Sequence, residues 1–84
     1  MLYDLEIRPS ALRDLRKLSK DVARRVLAKI ESLRDDLRGD VKRLKGTDPG
    51  YRLRVGDYRV LFDLEGRKVV VRRVRHRREA YDRS

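Results

Sequence analysis

Arginines recur at alternate positions on either side of a Gly-Asp pair in residues 51–62, YRLRVGDYRVLF, and this is the stretch of the chain best suited to chemistry. Arg52 and Arg54 alternate with Tyr51, Leu53 and Val55, while Arg59 falls between Tyr58 and Val60. Alternate residues of an extended chain share a face, so the guanidiniums gather on one side and the apolar groups on the other. Gly56-Asp57 signals a two-residue hairpin turn, because such a turn needs positive φ that Gly adopts without steric cost and Asp tolerates. Counting outward from it sets Val55 opposite Tyr58, Leu53 opposite Val60 and Tyr51 opposite Phe62. On the other face Arg54 then lies opposite Arg59, and Arg52 opposite Leu61. Like charges directly across a ladder repel, so that face calls for an anion. Guanidinium forks match phosphate oxygens bidentately, which makes a nucleic-acid backbone the natural ligand. The plainer alternative is a solvated face whose arginine stems cover Leu61, Val70 and Val74.

Holding these arginines in place requires a sheet with its apolar side covered. Residues 2–7 alternate and read as a first strand, stopped by Pro9. Ser10 is placed to cap a short helix with Ala11, Leu12, Leu15 and Leu18 on one side and Arg13, Asp14, Arg16 and Lys17 on the other. Ser19 is placed to cap a second helix, with Val22, Val26, Ile30, Leu33 and Leu37 at helical spacing, running to about Arg38 where Gly39 ends it. With almost no linker between them, the helices are expected to form an antiparallel αα-hairpin. A short extended segment, 41–44, and a turn-rich loop, 45–50 (KGTDPG), lead into the hairpin strands. Gly66, within 63–68, makes a second tight connection to a third run, 69–74. Counting through it sets Phe62 opposite Val69, Val60 opposite Val71 and Arg59 opposite Arg72. The expected fold is α+β: one domain, 1–84, in two layers, with a mainly antiparallel sheet and the αα-hairpin on one face. The arginine face stays open, and the tail 76–84 (HRREAYDRS) begins beside it as a strand end followed by a helical turn.

The charge distribution agrees with an anionic partner. Residues 1–40 carry 10 basic and 8 acidic side chains, whereas residues 41–84 carry 14 and 6, so most of the net +10 belongs to the half containing the hairpin. Such a concentrated basic footprint suits nucleic acid. There is no cysteine, which excludes disulfides and thiolate metal sites. With a single histidine, no metal-ligand cluster and no glycine-rich phosphate loop, neither a metal nor a cofactor is expected. No apolar run of some 18 residues and no signal-peptide layout is found, so the protein is expected in the cytoplasm, away from the membrane.

Taken together, RLKG, YRLRVGDYRVLF, the VVVRRV strand and the tail HRREAY, in the order strand, helical hairpin and antiparallel strands, resemble the RelE/ParE toxin superfamily of toxin–antitoxin systems, specifically its RelE branch. The resemblance covers nearly the whole chain. It implies a ribosome-dependent mRNA endonuclease silenced by a RelB-like antitoxin. In related toxins the ribose 2′-OH attacks the adjacent phosphate without a metal, giving a 2′,3′-cyclic phosphate and a free 5′-OH. The same resemblance places Arg52 and Arg54 among the basic residues lining the site and Arg59 on the scissile phosphate. Arg77 falls on the tail arginine that stabilises charge, and Tyr81 on the tail tyrosine that stacks or transfers a proton. Arg72 and Lys45 are further expected RNA contacts. Well-studied members carry lysines at the positions of Arg52 and Arg54. Arginine stays protonated, so Arg54 serves to bind and neutralise, and the base is to be sought in the tail, at His76 or Tyr81, or in the ribosome and the RNA themselves. Strand parity puts Arg77 on the apolar side if the last strand continues, so its role requires that strand to end or bend near Arg75. Alternative readings are a ParE-like poison of DNA gyrase and a noncatalytic RNA-binding module.

Overall fold

The computed structural model describes residues 2–46 and 49–80. In chain order these form β1 (Asp4–Ile7), α1 (Pro9–Arg16), α2 (Lys20–Ser32), β2 (Asp40–Arg43), β3 (Tyr51–Val55), β4 (Tyr58–Glu65), β5 (Lys68–His76) and the short α3 (Arg77–Ala80). The strands make one sheet in the order β1-β5-β4-β3-β2, with β1 parallel to β5 and every other pair antiparallel. The α+β architecture read from the sequence is therefore the one adopted.

Alternation explains the core. Leu53, Val55, Val60, Phe62, Val69, Val71 and Val74 present one sheet face to Ala11 and Leu15 of α1 and to Val26 and Ile30 of α2. Phe62 is fully buried and stacks on its cross-strand partner Tyr51, with ring centroids 5.3 Å apart. Paired aromatics of this kind add to the burial of their area. The Gly56-Asp57 hairpin has the expected register at all five pairs, and Gly56 takes the positive φ of 57° that the turn demands.

The structure corrects the sequence reading in four places. First, α1 begins at Pro9, with Arg8 rather than Ser10 at its N-cap position, and the Ser10 hydroxyl donates to the Arg72 carbonyl at 2.7 Å. Proline at the first helical position forfeits no hydrogen bond, so Pro9 starts the helix as well as ending β1. Second, α2 stops at Ser32 rather than near Arg38. Leu33 is buried, and the Tyr3 N–H donates to the Arg34 carbonyl at 2.8 Å. Asp36 and Leu37 then take positive φ of 58° and 55°, so tertiary pairing overrides the helical pattern. Gly39 serves the chain beyond the helix: its φ is +130°, and a Cβ there would lie 2.8 Å from Leu53 Cδ1. The predicted cap of α2 is present, the Val22 N–H donating to Ser19 Oγ at 3.4 Å.

Third, β4 runs on to Glu65, which pairs with Lys68 across a Gly66-Arg67 turn. Phe62 therefore faces Val71 instead of Val69. Fourth, the β4–β5 register shifts between Phe62 and Leu61: Phe62 pairs with Val71 but Leu61 with Arg73, leaving Arg72 as an extra residue on β5. A bulge of this kind reverses the alternation beyond it. Val74 consequently joins the core instead of the open face, and Arg75, rather than Arg72, lies opposite Arg59.

Candidate functional site

Across the face turned away from the helices, one row of paired positions reads Arg54, Arg59, Arg75 on β3, β4 and β5. Neighbouring strands are about 4.8 Å apart, so this row spans roughly 10 Å, and three long guanidinium side chains can converge on one phosphate. Arg52 stands one rung further along β3, paired with Leu61 on one side and Lys42 of β2 on the other. The register thus places Arg52, Arg54 and Arg59 on one face of β3 and β4.

Arg59 is the most constrained member. It is 7% exposed, and its Nη1 donates to the carbonyls of Gly56 and Tyr58, both at 2.9 Å. The turn that aligns the hairpin thereby also orients the guanidinium. The same turn holds the tail, because the Arg77 N–H donates to the Asp57 carbonyl at 2.7 Å. β5 ends at His76 and Arg77 opens α3, which meets the requirement that the strand end near Arg75. Arg59 and Arg77 are thus drawn to one two-residue turn from opposite sides in sequence. Tyr81 lies outside the described residues.

Two expected contacts stand elsewhere. Arg72, the bulged residue, pairs with Asp63 at 3.1 Å and Glu65 at 3.4 Å. Asp63 also accepts from the Gly50 N–H at 2.7 Å, so this acidic pair serves the loop and β5 together. Lys45 is exposed in the loop before Tyr51, at the opposite end of β3 from Arg54. The open face is therefore divided in charge. Its far end continues to Glu6, which sits opposite Val70 and is held below the ordinary carboxylate range by hydrogen bonds from Arg8 and Lys68. If the chain is the RNA endonuclease expected from its sequence, Arg72→Ala should leave cleavage within about twofold and cost about 1 kcal/mol, the upper end for an ion pair near the surface. On the same expectation Arg75→Ala should lower cleavage about tenfold, less than the loss of a preorganised donor, because Arg75 is only half-buried and is ordered by the substrate itself. Rates of the two purified variants measured side by side check the assignment.

Arg75 escaped the sequence reading because strand parity cannot be counted through a bulge. The available signal was the adjacent pair Arg72-Arg73, after which the apolar alternation resumes one residue late at Val74. Asp14 was also missed. Placed by helical periodicity on the solvent side of α1, it is only 9% exposed. Its carboxylate accepts from Arg73 Nε at 2.8 Å, Arg73 Nη2 at 3.1 Å and the Val74 N–H at 2.8 Å. It closes the edge of β5 where β1 has already ended.

His76 follows Arg75 on β5 and lines with it the cleft that Asp14, Tyr58 and Glu79 also border. It pairs with Tyr58, on the side that holds Val60 and Val74, and meets the Tyr58 ring edge-on, centroids 5.4 Å apart. Among the described residues, no group of three or more His, Asp or Glu side chains is arranged to hold a metal ion. No helix among them is long and apolar enough to cross a membrane.

Residues 5–81 match the family described as ParE toxin of type II toxin–antitoxin systems. Toxin RelE3 of Methanocaldococcus jannaschii is 34% identical over 76 residues, covering 84% of this chain and 86% of that protein. Among solved structures, the RelB-RelE antitoxin–toxin complex from Methanococcus jannaschii superposes with a TM-score of 0.75 at 30% identity, covering 92% of this chain and 95% of that one. The archaeal RelE-RelB complex from Pyrococcus horikoshii gives a TM-score of 0.73 at 28% identity, covering 92% of this chain and 97% of that one.

Proposed function

The chain belongs to the ParE toxin family of type II toxin–antitoxin systems, on its RelE branch, and from that premise we propose that it is an RNA endonuclease cutting messages in the ribosomal decoding site. It is a toxin of a RelBE-type system. A RelB-like antitoxin is its proposed partner, presenting an amphipathic helix to the toxin surface and acidic groups to the basic face.

The observation that carries the reading is the row Arg54, Arg59, Arg75, with Arg77 docked on the same turn as Arg59. Cleavage by the neighbouring ribose requires the 2′-OH to lose its proton and its oxygen to bond to phosphorus. The P–O5′ bond then breaks and the departing O5′ takes up a proton. Between these events the phosphorane carries an added negative charge, which fixed cations stabilise without reorganising. Arg59 is suited to that charge because backbone carbonyls already orient it. Arg54 and Arg75 flank it, Arg52 steers the RNA backbone, and Arg77 stands by the leaving oxygen. Tyr81 is assigned to base stacking or to proton transfer. Charge neutralisation by arginines makes the reaction metal-independent, and the row does not supply the base: guanidiniums remain protonated in proteins.

The test is to map message ends in a translation extract supplied with the purified toxin. New 5′-OH ends and 2′,3′-cyclic phosphates within coding regions are expected, and they should vanish when antitoxin is added. Intact messages at concentrations that arrest growth would sink the reading. Failed DNA supercoiling in their place would indicate gyrase poisoning. RNA retention that falls steeply with salt, without product, would indicate a binding module.

A further inference from the structure

We propose that His76 is a positioning residue: its imidazole caps the C-terminal turn that carries Arg77, with Glu79 as the reciprocal partner. This rests on the cleavage reading above, whose site includes Arg77.

The first N–H groups of any helical turn lack acceptors within the turn. In α3 the Arg77 N–H is taken by the Asp57 carbonyl at 2.7 Å, and the Arg78 N–H donates to His76 Nδ1 at 3.3 Å. The His76 N–H in turn donates to Glu79 Oε1 at 3.2 Å. A residue just before the helix accepts from the second helical N–H, while the residue three places on accepts from its backbone. This is the reciprocity of a capping box, with an imidazole nitrogen in place of the usual hydroxyl. The cap works only with Nδ1 unprotonated, since a doubly protonated imidazole has no acceptor. The Tyr58 ring, edge-on to His76 and itself packed against the core, holds the imidazole in this orientation.

Placement argues for this role over proton transfer. A general base must come within hydrogen-bond reach of the hydroxyl it deprotonates. His76 pairs with Tyr58 on the side of the sheet that holds Val60 and Val74, away from Arg54 and Arg59, and shares with Arg75 the cleft lined by Asp14, Tyr58 and Glu79. The cap nevertheless bears on the site through the backbone, because it fixes the turn that begins with Arg77 and is anchored beside Gly56, the carbonyl partner of Arg59. Glu79, flanked in sequence by Arg78 and a candidate for ion pairing, is engaged by the His76 backbone.

The experiment compares wild type, His76→Ala, His76→Asn and Glu79→Gln in two measurements: amide exchange at Arg78, and message cleavage in the translation extract. In His76→Ala the Arg78 amide should exchange about fivefold faster, the equivalent of losing an N-cap. Cleavage should fall about tenfold as Arg77 loses its position. Asparagine caps well but moves no proton, so His76→Asn should keep both quantities within about twofold of wild type. Glutamine completes a capping box, so Glu79→Gln should do the same. Unchanged Arg78 exchange in His76→Ala overturns the cap. If His76→Asn restores exchange yet cuts as poorly as His76→Ala, the ring itself does chemistry and the positioning role is overturned. Wild-type protein that leaves messages intact defeats the cleavage reading instead, and the exchange arm still decides the cap.

Discussion

Arg59→Ala is expected to lower message cleavage about 100-fold or more, the loss typical of removing one preorganised donor from a developing oxyanion. Several cations surround the site, yet they are unequal. Arg54 is exposed and Arg75 is half-buried, so each must surrender side-chain freedom on meeting a phosphate. Arg59 is buried, and the Gly56 and Tyr58 carbonyls hold its Nη1 before any substrate arrives. The substitution also removes those two hydrogen bonds, at about 2 kcal/mol in stability and roughly 8–16 °C in melting temperature. A melting curve therefore accompanies the rate. Arg59→Lys separates charge from geometry: a single ammonium cannot hold both turn carbonyls and a phosphate oxygen at once, so its rate should fall between those of wild type and Arg59→Ala. A folded Arg59→Ala protein that cuts at the normal rate would reduce Arg59 to a structural brace of the hairpin.

What the sequence revealed and what it hid divide along physical lines. The hairpin register followed correctly from Gly56-Asp57, because a two-residue turn leaves one pairing compatible with a single buried face. The second turn, Gly66-Arg67, misled because its flanks, Glu65 and Lys68, are polar and look like loop, although both belong to strands. The resulting offset of Phe62 was compounded by the bulge at Arg72, where local alternation carries no record of which strand holds the extra residue. Arg72 was thus set beside Arg59 when its partners are Asp63 and Glu65, and Arg75 was overlooked. Long-range pairing, invisible to periodicity, also ended α2 at Ser32 and buried Asp14. The resemblance named Arg77 where parity opposed it, and the bulge at Arg72 removes that objection by reversing the alternation beyond it. The histidine was legible as a residue of interest but its duty was not, since which side of the sheet it occupies depends on that same bulge.

Asp14→Ala is expected to lower stability by about 2–3 kcal/mol, the cost of removing a charged acceptor and leaving a buried amide unpaired. β1 pairs with β5 only as far as Val71, and past that point the outer edge of β5 is closed by Ser10 and Asp14 of α1. Losing the carboxylate strands the Val74 N–H and loosens Arg73, just before the stretch that bears Arg75 and leads into the Arg77 turn. Cleavage should weaken along with stability. Burial works to raise the pKa of Asp14, but the hydrogen bonds from Arg73 and the Val74 amide outweigh it and leave the carboxyl below its ordinary value. A carboxyl depressed by folding stabilises the native state above its unfolded pKa, and that contribution is lost as the pH falls through the folded value. The stability difference between wild type and Asp14→Ala should therefore be complete at neutral pH. It should begin to shrink as pH drops past the ordinary aspartate value of about 3.9 and become smallest below the depressed one. Asp14→Asn, which retains one acceptor oxygen but no charge, should show an intermediate loss and a flatter dependence on pH. Denaturant unfolding of the three proteins from neutral to strongly acidic pH measures this directly. A difference that stays constant through the acid range would mean that the shape of the Asp14 side chain, rather than its charge, closes the edge of β5.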